Sequence, residues 1–475
     1  MKNELCRALL VAASLAMVGS YAESQNFALQ GTIVTPTQVI ESGTVIVING
    51  RIAAINSGVQ APANTPITFP TITVNGVIAP GLIDLHNHMV WNVFPRWTPA
   101  TLTGARYDWQ ADPAYAKNLS GPEGVMIQNG RGCDMERYAE VKALLHGATS
   151  VTGSYGPQSS TQPYGNECDR GLARNLDYIS ELYTDQINQE PLNYNVFPLE
   201  IAPATAQQIR ADLQSKKLKA FIVHLSEGTC PSATREYKIF RNGEQYLLPG
   251  TVLIHGTGMK ASDVYLQNQN DFAEIASKGV GLVWSPHSNI ALYGATTNVT
   301  AAKAAGVQMA ISPDWSPSGS NGMAEEMSYA SNLSSSVNPF TSQELVQMAT
   351  ANPAKLAGVG DKIGSLIVGY RADLVVYPHL ASSKSAYDDL AHAQSASILL
   401  AVVGGKALLG DPALMQQIYP QKTFTDQIKV CGMVKDLNLD GEIGTDTWNG
   451  ILERLETAIQ QQGLSGLPPM ADCSL

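Results

Sequence analysis

His86 and His88 stand one residue apart at the end of an apolar run, Gly76-Val77-Ile78-Ala79-Pro80-Gly81-Leu82-Ile83-Asp84-Leu85. A run of that kind reads as a buried strand entering a core. Residues i and i+2 of a strand share a face. The two imidazoles therefore converge on one point, the arrangement that holds a divalent metal. Taken alone, a His-x-His is equally well two histidines at a wet strand end. Three more positions change the balance. His224 follows Ala220-Phe221-Ile222-Val223, His255 follows Thr251-Val252-Leu253-Ile254, and Asp314 comes soon after Val307-Gln308-Met309-Ala310-Ile311. Core packing explains one such residue well and the set poorly. Glu227, just past His224, gains a reading only from that company. It is a carboxylate within reach of a metal-activated water, fit to carry a proton.

Positions so far apart meet only if the fold gathers strand ends. Between residues 76 and 357 apolar strands, Thr149-Ser150-Val151-Thr152 and Val280-Gly281-Leu282-Val283-Trp284 among them, alternate with helical stretches. Such alternation implies a parallel sheet, and about 280 residues of it suit a (β/α)8 barrel, whose chemistry collects at the C-terminal strand ends. Thr341-Ser342-Gln343-Glu344 opens a helix with a capping box. Both flanks are rich in strands. Asn49-Gly50 between Thr44-Val45-Ile46-Val47-Ile48 and Arg51-Ile52-Ala53-Ala54-Ile55 is a hairpin signal, since both turn positions need positive φ. Ala372-Asp373-Leu374-Val375-Val376-Tyr377 and Ile398 to Val403 supply β-rich sequence near the other end.

Pro80-Gly81-Leu82-Ile83-Asp84-Leu85-His86-Asn87-His88 resembles the first-strand signature of the amidohydrolase superfamily. Asn352-Pro353-Ala354-Lys355, then Gly364-Ser365, Gly369 and Ala372-Asp373-Leu374, resemble its closing segment. The resemblance covers nearly all of the chain beyond its first residues. It implies a TIM-like barrel with a small β-sandwich built from both chain ends. The expected organisation is a leader at 1–22, sandwich at 23–75, barrel at 76–357, sandwich again at 358–415, and an extension at 416–475. Dinuclear members carry a carboxylated lysine on the fourth strand, and Asn193-Tyr194-Asn195-Val196-Phe197-Pro198-Leu199 has no Lys. His224-x-x-Glu227, Ser285-Pro286-His287-Ser288-Asn289, and Asp314 with Ser320-Asn321-Gly322-Met323 and Glu325-Glu326-Met327 are similar to the guanine deaminase, S-adenosylhomocysteine deaminase and triazine hydrolase group. That group uses one metal.

The resemblance implies His86, His88, His224 and Asp314 as ligands of one divalent ion, zinc first, with Glu227 and His255 acting on water and substrate. The implied reaction is hydrolysis of a non-peptide carbon–nitrogen bond in a small molecule, by a deaminase or cyclic-amidine hydrolase. A linear amide or N-acyl hydrolase, or a catalytically silent binding protein on the same fold, remains the alternative. Trp91, Phe94, Arg96 and Trp97 either wall a planar pocket or pack the barrel rim. His287 either faces substrate or is structural. His146 precedes Gly147 at a helix end, a structural setting, and His379 and His392 carry no role.

A net charge of -11 argues against nucleic acid or an anionic membrane as partner. With 15% charged and 44% hydrophobic residues the chain reads as globular. Lys2 and Arg7 flank the start of an apolar stretch from Ala8 to Val18, and Ser20-Tyr21-Ala22 offers the small residues that a signal peptidase reads. The stretch is too short to span a membrane, so cleavage after Ala22 into a periplasmic or secreted form is expected. Export permits disulfides. Cys431 with Cys473 and Cys133 with Cys168 are the plausible pairs, although spacing alone does not fix connectivity. Near the C-terminus Asp436, Asn438 and Asp440 with Gly441 resemble the first half of a calcium loop. Thr447 stands where that loop needs a bidentate carboxylate, so Ca²⁺ binding and a solvated acidic turn are both open. Trp448 to Ile459 has apolar residues at helical spacing, suited to docking on the barrel.

Overall fold

The structure is a computed structural model and describes residues 25–35, 38–57, 69–155, 172–177, 192–262, 269–439 and 446–474. The expected leader at 1–22 lies outside the described residues. Among those described, no helix is long and apolar enough to cross a membrane.

The N-terminal segment forms β1 (Phe27–Val34), β2 (Val39–Ile48), β3 (Arg51–Ser57) and β4 (Thr71–Pro80). Asn49 and Gly50 turn β2 into β3 with φ of 49° and 74°, and Ile48 pairs with Arg51. The hairpin read from Asn-Gly is present, with the left-handed backbone that this turn requires.

The apolar run expected as one strand divides at Gly81. β4 ends at Pro80, and β5 (Leu82–Asp84) starts a different sheet. A Cβ on Gly81 would lie 2.0 Å from Thr149 Oγ1, so glycine is needed where the chain passes between sheets. His86 and His88 consequently stand just past a strand end, not within a strand.

The barrel continues through β6 (Ala148–Val151), β7 (Arg174–Asn175), β8 (Leu192–Asn195), β9 (Ala220–Leu225), β10 (Thr251–His255), β11 (Gly281–Trp284) and β12 (Met309–Ile311). β5-β6-β7 form one parallel ladder and β8 to β12 another. The eight strands make the expected TIM-like barrel. Its first and last strands meet beyond their ends, where Asn87 bridges Asp314. There His88 N–H donates to Asp314 O and Asp314 N–H donates to His86 O, both at 3.1 Å. Alternation along the strands sorts the two faces. Ile222, Val252, Ile254 and Val283 share the inner core, while Phe221, Val223, Leu253 and Leu282 pack outward against helices.

The chain then returns as β13 (Leu374–Pro378), β14 (Leu400–Val403), β15 (Lys406–Gly410), β16 (Asp426–Val430) and β17 (Met433–Leu437). Hydrogen bonding joins both chain ends into one nine-stranded sheet, ordered β16-β17-β15-β14-β13-β4-β1-β2-β3. The two ends expected to build the sandwich are joined by hydrogen bonding, and their apolar faces share one core, Val45, Val47 and Ile72 with Leu400, Val402 and Ala407. The expected extension is part of the sheet, because β17 pairs with β15. The helix Trp448–Gln461 buries Trp448, Ile451, Leu455 and Ile459. It docks on the barrel helix Gly132–Leu145, with Trp448 stacked on Tyr138 at 5.9 Å and Arg454 clamping both Asp134 oxygens at 2.6 and 3.0 Å. Cys431 and Cys473 are bonded to each other. Cys133 is disulfide-bonded as well, and its expected partner Cys168 lies outside the described residues.

Candidate metal centre and active site

Three imidazole nitrogens meet at the C-terminal mouth of the barrel. His224 Nε2, on β9, lies 3.1 Å from His86 Nε2 and 3.2 Å from His88 Nε2. Asp314 Oδ1 is 3.0 Å from His86 Nε2 and 3.4 Å from His88 Nε2. Ligands at 2.0–2.1 Å around a tetrahedral zinc stand about 3.4 Å apart, so these spacings suit one ion. His86, His224, His255 and Asp314 also place one donor atom each within 4.8 Å of one another.

The protonation chemistry agrees. His86 Nδ1 lies 2.7 Å from Ser285 Oγ, which can accept its proton and leave Nε2 a bare lone pair. Burial, with the neighbouring imidazoles, holds His86 and His224 well below the ordinary histidine value. Burial lowers His88 too, against the pull of Asp314 and Glu227. Neutral imidazole is the ligand form. Burial pushes the Asp314 carboxyl up, although His255 and His88 pull it down. Converging lone pairs and a buried carboxylate repel unless a cation stands among them, so this donor set fits a divalent metal. Ser288 Oγ donates to Asp314 Oδ2 at 2.6 Å, which turns Oδ1 toward the histidines. Asp314 and His255 hold φ of 73° and 64°, left-handed conformations uncommon for such residues and concentrated at functional sites.

Glu227 and His255 form the second half of the site. Glu227 Oε2 lies 3.6 Å from His255 Nε2. His255 Nδ1 is 2.8 Å from Asn289 Oδ1, and the Asn289 amide nitrogen donates to Thr296 and Thr297. That orientation commits Nδ1–H as a donor and leaves Nε2 facing the centre. Tyr293 O–H donates to Glu227 Oε1 at 2.6 Å, and Trp109 Nε1–H donates to the Tyr293 oxygen at 2.8 Å. Tyr293, Trp109 and Asp84 were not legible as site residues in the sequence. Asp84 lay within the first-strand signature, which was the available signal. It accepts from His86 N–H at 3.1 Å and from the Asn87 amide at 2.6 Å, and burial pushes its carboxyl up to about 7.

The six residues expected to form the metal and catalytic set are brought together. The three expected to face substrate divide. Trp91 stacks on Tyr115 and packs 5.5 Å from Trp315, whose ring lies 5.9 Å from His88, so it belongs to an aromatic wall beside the centre. Arg96 is exposed and gives Nη1 to Gly319 O at 2.6 Å. His287 stacks on Tyr329 at 4.2 Å and pairs Nδ1 with Ser320 Oγ. Both side chains are engaged with these protein partners in the structure. Two residues of the calcium reading also have protein partners. Asp436 is the penultimate residue of β17 and accepts from Gln427, while Asn438 Oδ1 accepts from the Lys422 ammonium. Those oxygens already have partners, one of them a cation. Asp440 lies outside the described residues. His146 is structural as expected, buried between Ser395 Oγ and Met470 O.

The sequence profile of the Amidohydrolase family matches residues 77–408. A 5-methylthioadenosine/S-adenosylhomocysteine deaminase of Syntrophobacter fumaroxidans is 25% identical over 403 residues, 79% of this chain and 90% of that protein. Among solved structures, a zinc-bound adenosine deaminase of Xanthomonas campestris superposes with a TM-score of 0.59 at 19% identity, over 84% of this chain and 99% of that one. A guanine deaminase of E. coli superposes with a TM-score of 0.58 at 17% identity, over 80% and 99%.

Proposed function

The chain belongs to the amidohydrolase family, and from that premise we propose that it releases ammonia from an aminated planar heterocycle, using a single divalent metal, zinc first. The observation that carries this reading is the convergence of His86, His88 and His224 Nε2 with Asp314 Oδ1 at tetrahedral spacing, with Glu227 alongside. The deaminase named above supports the reaction type. The aromatic wall of Trp91, Tyr115 and Trp315 supports a flat substrate.

His86, His88, His224 and Asp314 would hold the ion, which supplies Lewis acidity and a water acidified to near neutral pH. Glu227 Oε2 takes a proton from the attacking water and hands it to the nitrogen that leaves. Water oxygen bonds to the ring carbon, the carbon–nitrogen bond breaks, and the nitrogen departs as ammonia with the transferred proton. His255, its Nδ1–H fixed on Asn289, presents Nε2 to the oxygen on which charge develops and steadies it when protonated.

The test is metal analysis of purified protein together with ammonia release from a panel: 5-methylthioadenosine, S-adenosylhomocysteine, guanine, an aminotriazine and N-acyl amino acids. About one zinc per chain and ammonia from a ring-bound amino group are expected. Turnover of only the N-acyl compounds moves the enzyme to amide hydrolysis, and no turnover with metal bound leaves a silent binding protein. The sequence pattern at residues 1–22 supports export to the periplasm or medium. N-terminal sequencing of mature protein tests this, with Glu23 expected first.

A further inference from the structure

Glu227 is held more tightly than a proton carrier on a loop requires. It leaves β9 through Ser226, whose φ is 53° and whose N–H donates to Glu236 Oε2 at 2.9 Å. Glu236 is paired in turn with the buried Arg106 guanidinium. On the other side Gly228 has φ +134°, and a Cβ there would lie 2.3 Å from Gly104 O. Arg106 N–H donates to Glu227 O at 3.2 Å and Thr229 N–H donates to Gly104 O at 2.8 Å. The segment from Gly104 to Trp109 therefore grips the backbone on both sides of the carboxylate.

The same segment reaches the side chain. An indole N–H only donates. Trp109 Nε1–H thus occupies a lone pair of the Tyr293 oxygen and directs its single proton to Glu227 Oε1. We propose that Tyr293, oriented by Trp109, is a positioning residue that pins Oε1 of Glu227 so that Oε2 alone serves the metal centre. This rests on the reading of Glu227 as the proton carrier. A short hydrogen bond to an ionised oxygen is among the stronger contacts a side chain makes. Without it the carboxylate rotates between rotamers, and a displacement near 1 Å at a reacting group costs about a hundredfold in rate.

Tyr293→Phe removes only the hydroxyl. Zinc content and KM are expected to stay at wild-type values, with kcat down about ten- to hundredfold against the panel compound turned over fastest. Trp109→Phe, which leaves the hydroxyl but frees its orientation, is expected to lower kcat in the same direction by less, and it decides the matter if Tyr293→Phe does not fold. A second readout needs no turnover. Tyr293→Phe should lower the melting temperature of zinc-loaded protein, and lower it clearly less when Glu227 is replaced by Ala, because the bond is then already gone. Unchanged kcat, loss of zinc, a rise in KM in place of the fall in kcat, or equal melting losses in both backgrounds would each overturn the proposal. Wild-type turnover by Glu227→Gln removes the proton-carrier reading itself. An inactive Glu227→Gln beside a fully active Tyr293→Phe removes only the positioning role.

Discussion

Ligands and proton carrier differ in what their loss does. In the proposed centre His86 and Asp314 each offer an atom to the ion, so His86→Ala or Asp314→Ala should abolish both metal and activity. Glu227 makes no bond to the ion in the role proposed. Glu227→Gln should keep zinc, measured by mass spectrometry, while kcat falls by about 10²- to 10⁴-fold, and zinc loss from that variant would break the division of roles. Lys142 carries the opposite lesson, a charge the fold tolerates at a cost. Its ammonium is buried without a hydrogen-bond partner among the described residues. Burial brings its pKa down from the usual lysine range to about 7, with Glu325 opposing and Arg96 assisting. Between pH 7 and 10.5 the unfolded chain holds this proton and the folded chain does not, so stability rises with pH across that window. Lys142→Met should accordingly be more stable than wild type by a few kcal/mol, since each tenfold loss of proton affinity on folding corresponds to about 1.4 kcal/mol. The advantage should be full at pH 7 and below, and should vanish as pH approaches 10.5. Urea unfolding at about pH 6.5 and about pH 9.5 measures it, and an equal difference at both would exclude the lysine as its source.

Elements with local signals were legible. Asn49-Gly50 names its turn because two adjacent positive φ values leave few other choices. Thr341 and Glu344 name a helix start, and the reciprocal bonds are present at 3.2 and 2.8 Å. Thr341→Ala should cost about 1 kcal/mol in chemical denaturation, with turnover unchanged. What was not legible depended on contacts between distant segments. β4 and β5 read as one strand because apolarity runs through Pro80-Gly81, and only the approach of Thr149 divides them. β7 has two residues and leaves no periodicity to find. The proposed metal set was legible because His86 and His88 closely follow β5, His224 lies at the end region of β9 and Asp314 closely follows β12, and barrel topology superposes strand ends. Tyr293 reaches Glu227 from one helix and Trp109 reaches Tyr293 from another, with no such rule, and the contact of Lys422 with Asn438 is as little foretold by sequence. The acidic turn near Asp436 follows the same logic. With Gln427 and Lys422 already on its oxygens, a melting temperature indifferent to millimolar calcium is expected, whereas a rise abolished by Asp440→Ala would restore the calcium loop.

On the scale of the whole molecule, the chain closes on itself. Both ends build one sheet, and the last residues cross back over the barrel. Tyr138 O–H donates to Pro468 O at 3.1 Å, His146 Nε2 pairs with Met470 O at 2.9 Å, and Asp472 N–H donates to Glu325 Oε1 at 2.8 Å. Each contact joins the tail to a helix that flanks the barrel or to the residue that caps it, and each pairs a polar atom of that seam. The Cys431–Cys473 bond ties this strap to the turn between β16 and β17, closing a loop with a sequence separation of 42. A loop of that length is expected to stabilise the fold by about 2–4 kcal/mol, chiefly by restricting the unfolded chain. Cys473→Ser should therefore lower the urea midpoint, with a somewhat steeper slope because the unfolded chain is less compact, and leave zinc content and kcat intact, since none of the proposed ligands lies on the strap. Reduction of the wild-type protein, which also opens the Cys133 disulfide, should lower the midpoint at least as far, and reductant should do less to Cys473→Ser. An unchanged midpoint in the variant would mean that the three backbone contacts and the docked helix Trp448–Gln461 hold the tail without the bond. A lost metal would mean that the strap reaches the active site through the buried seam around His146 and Glu325.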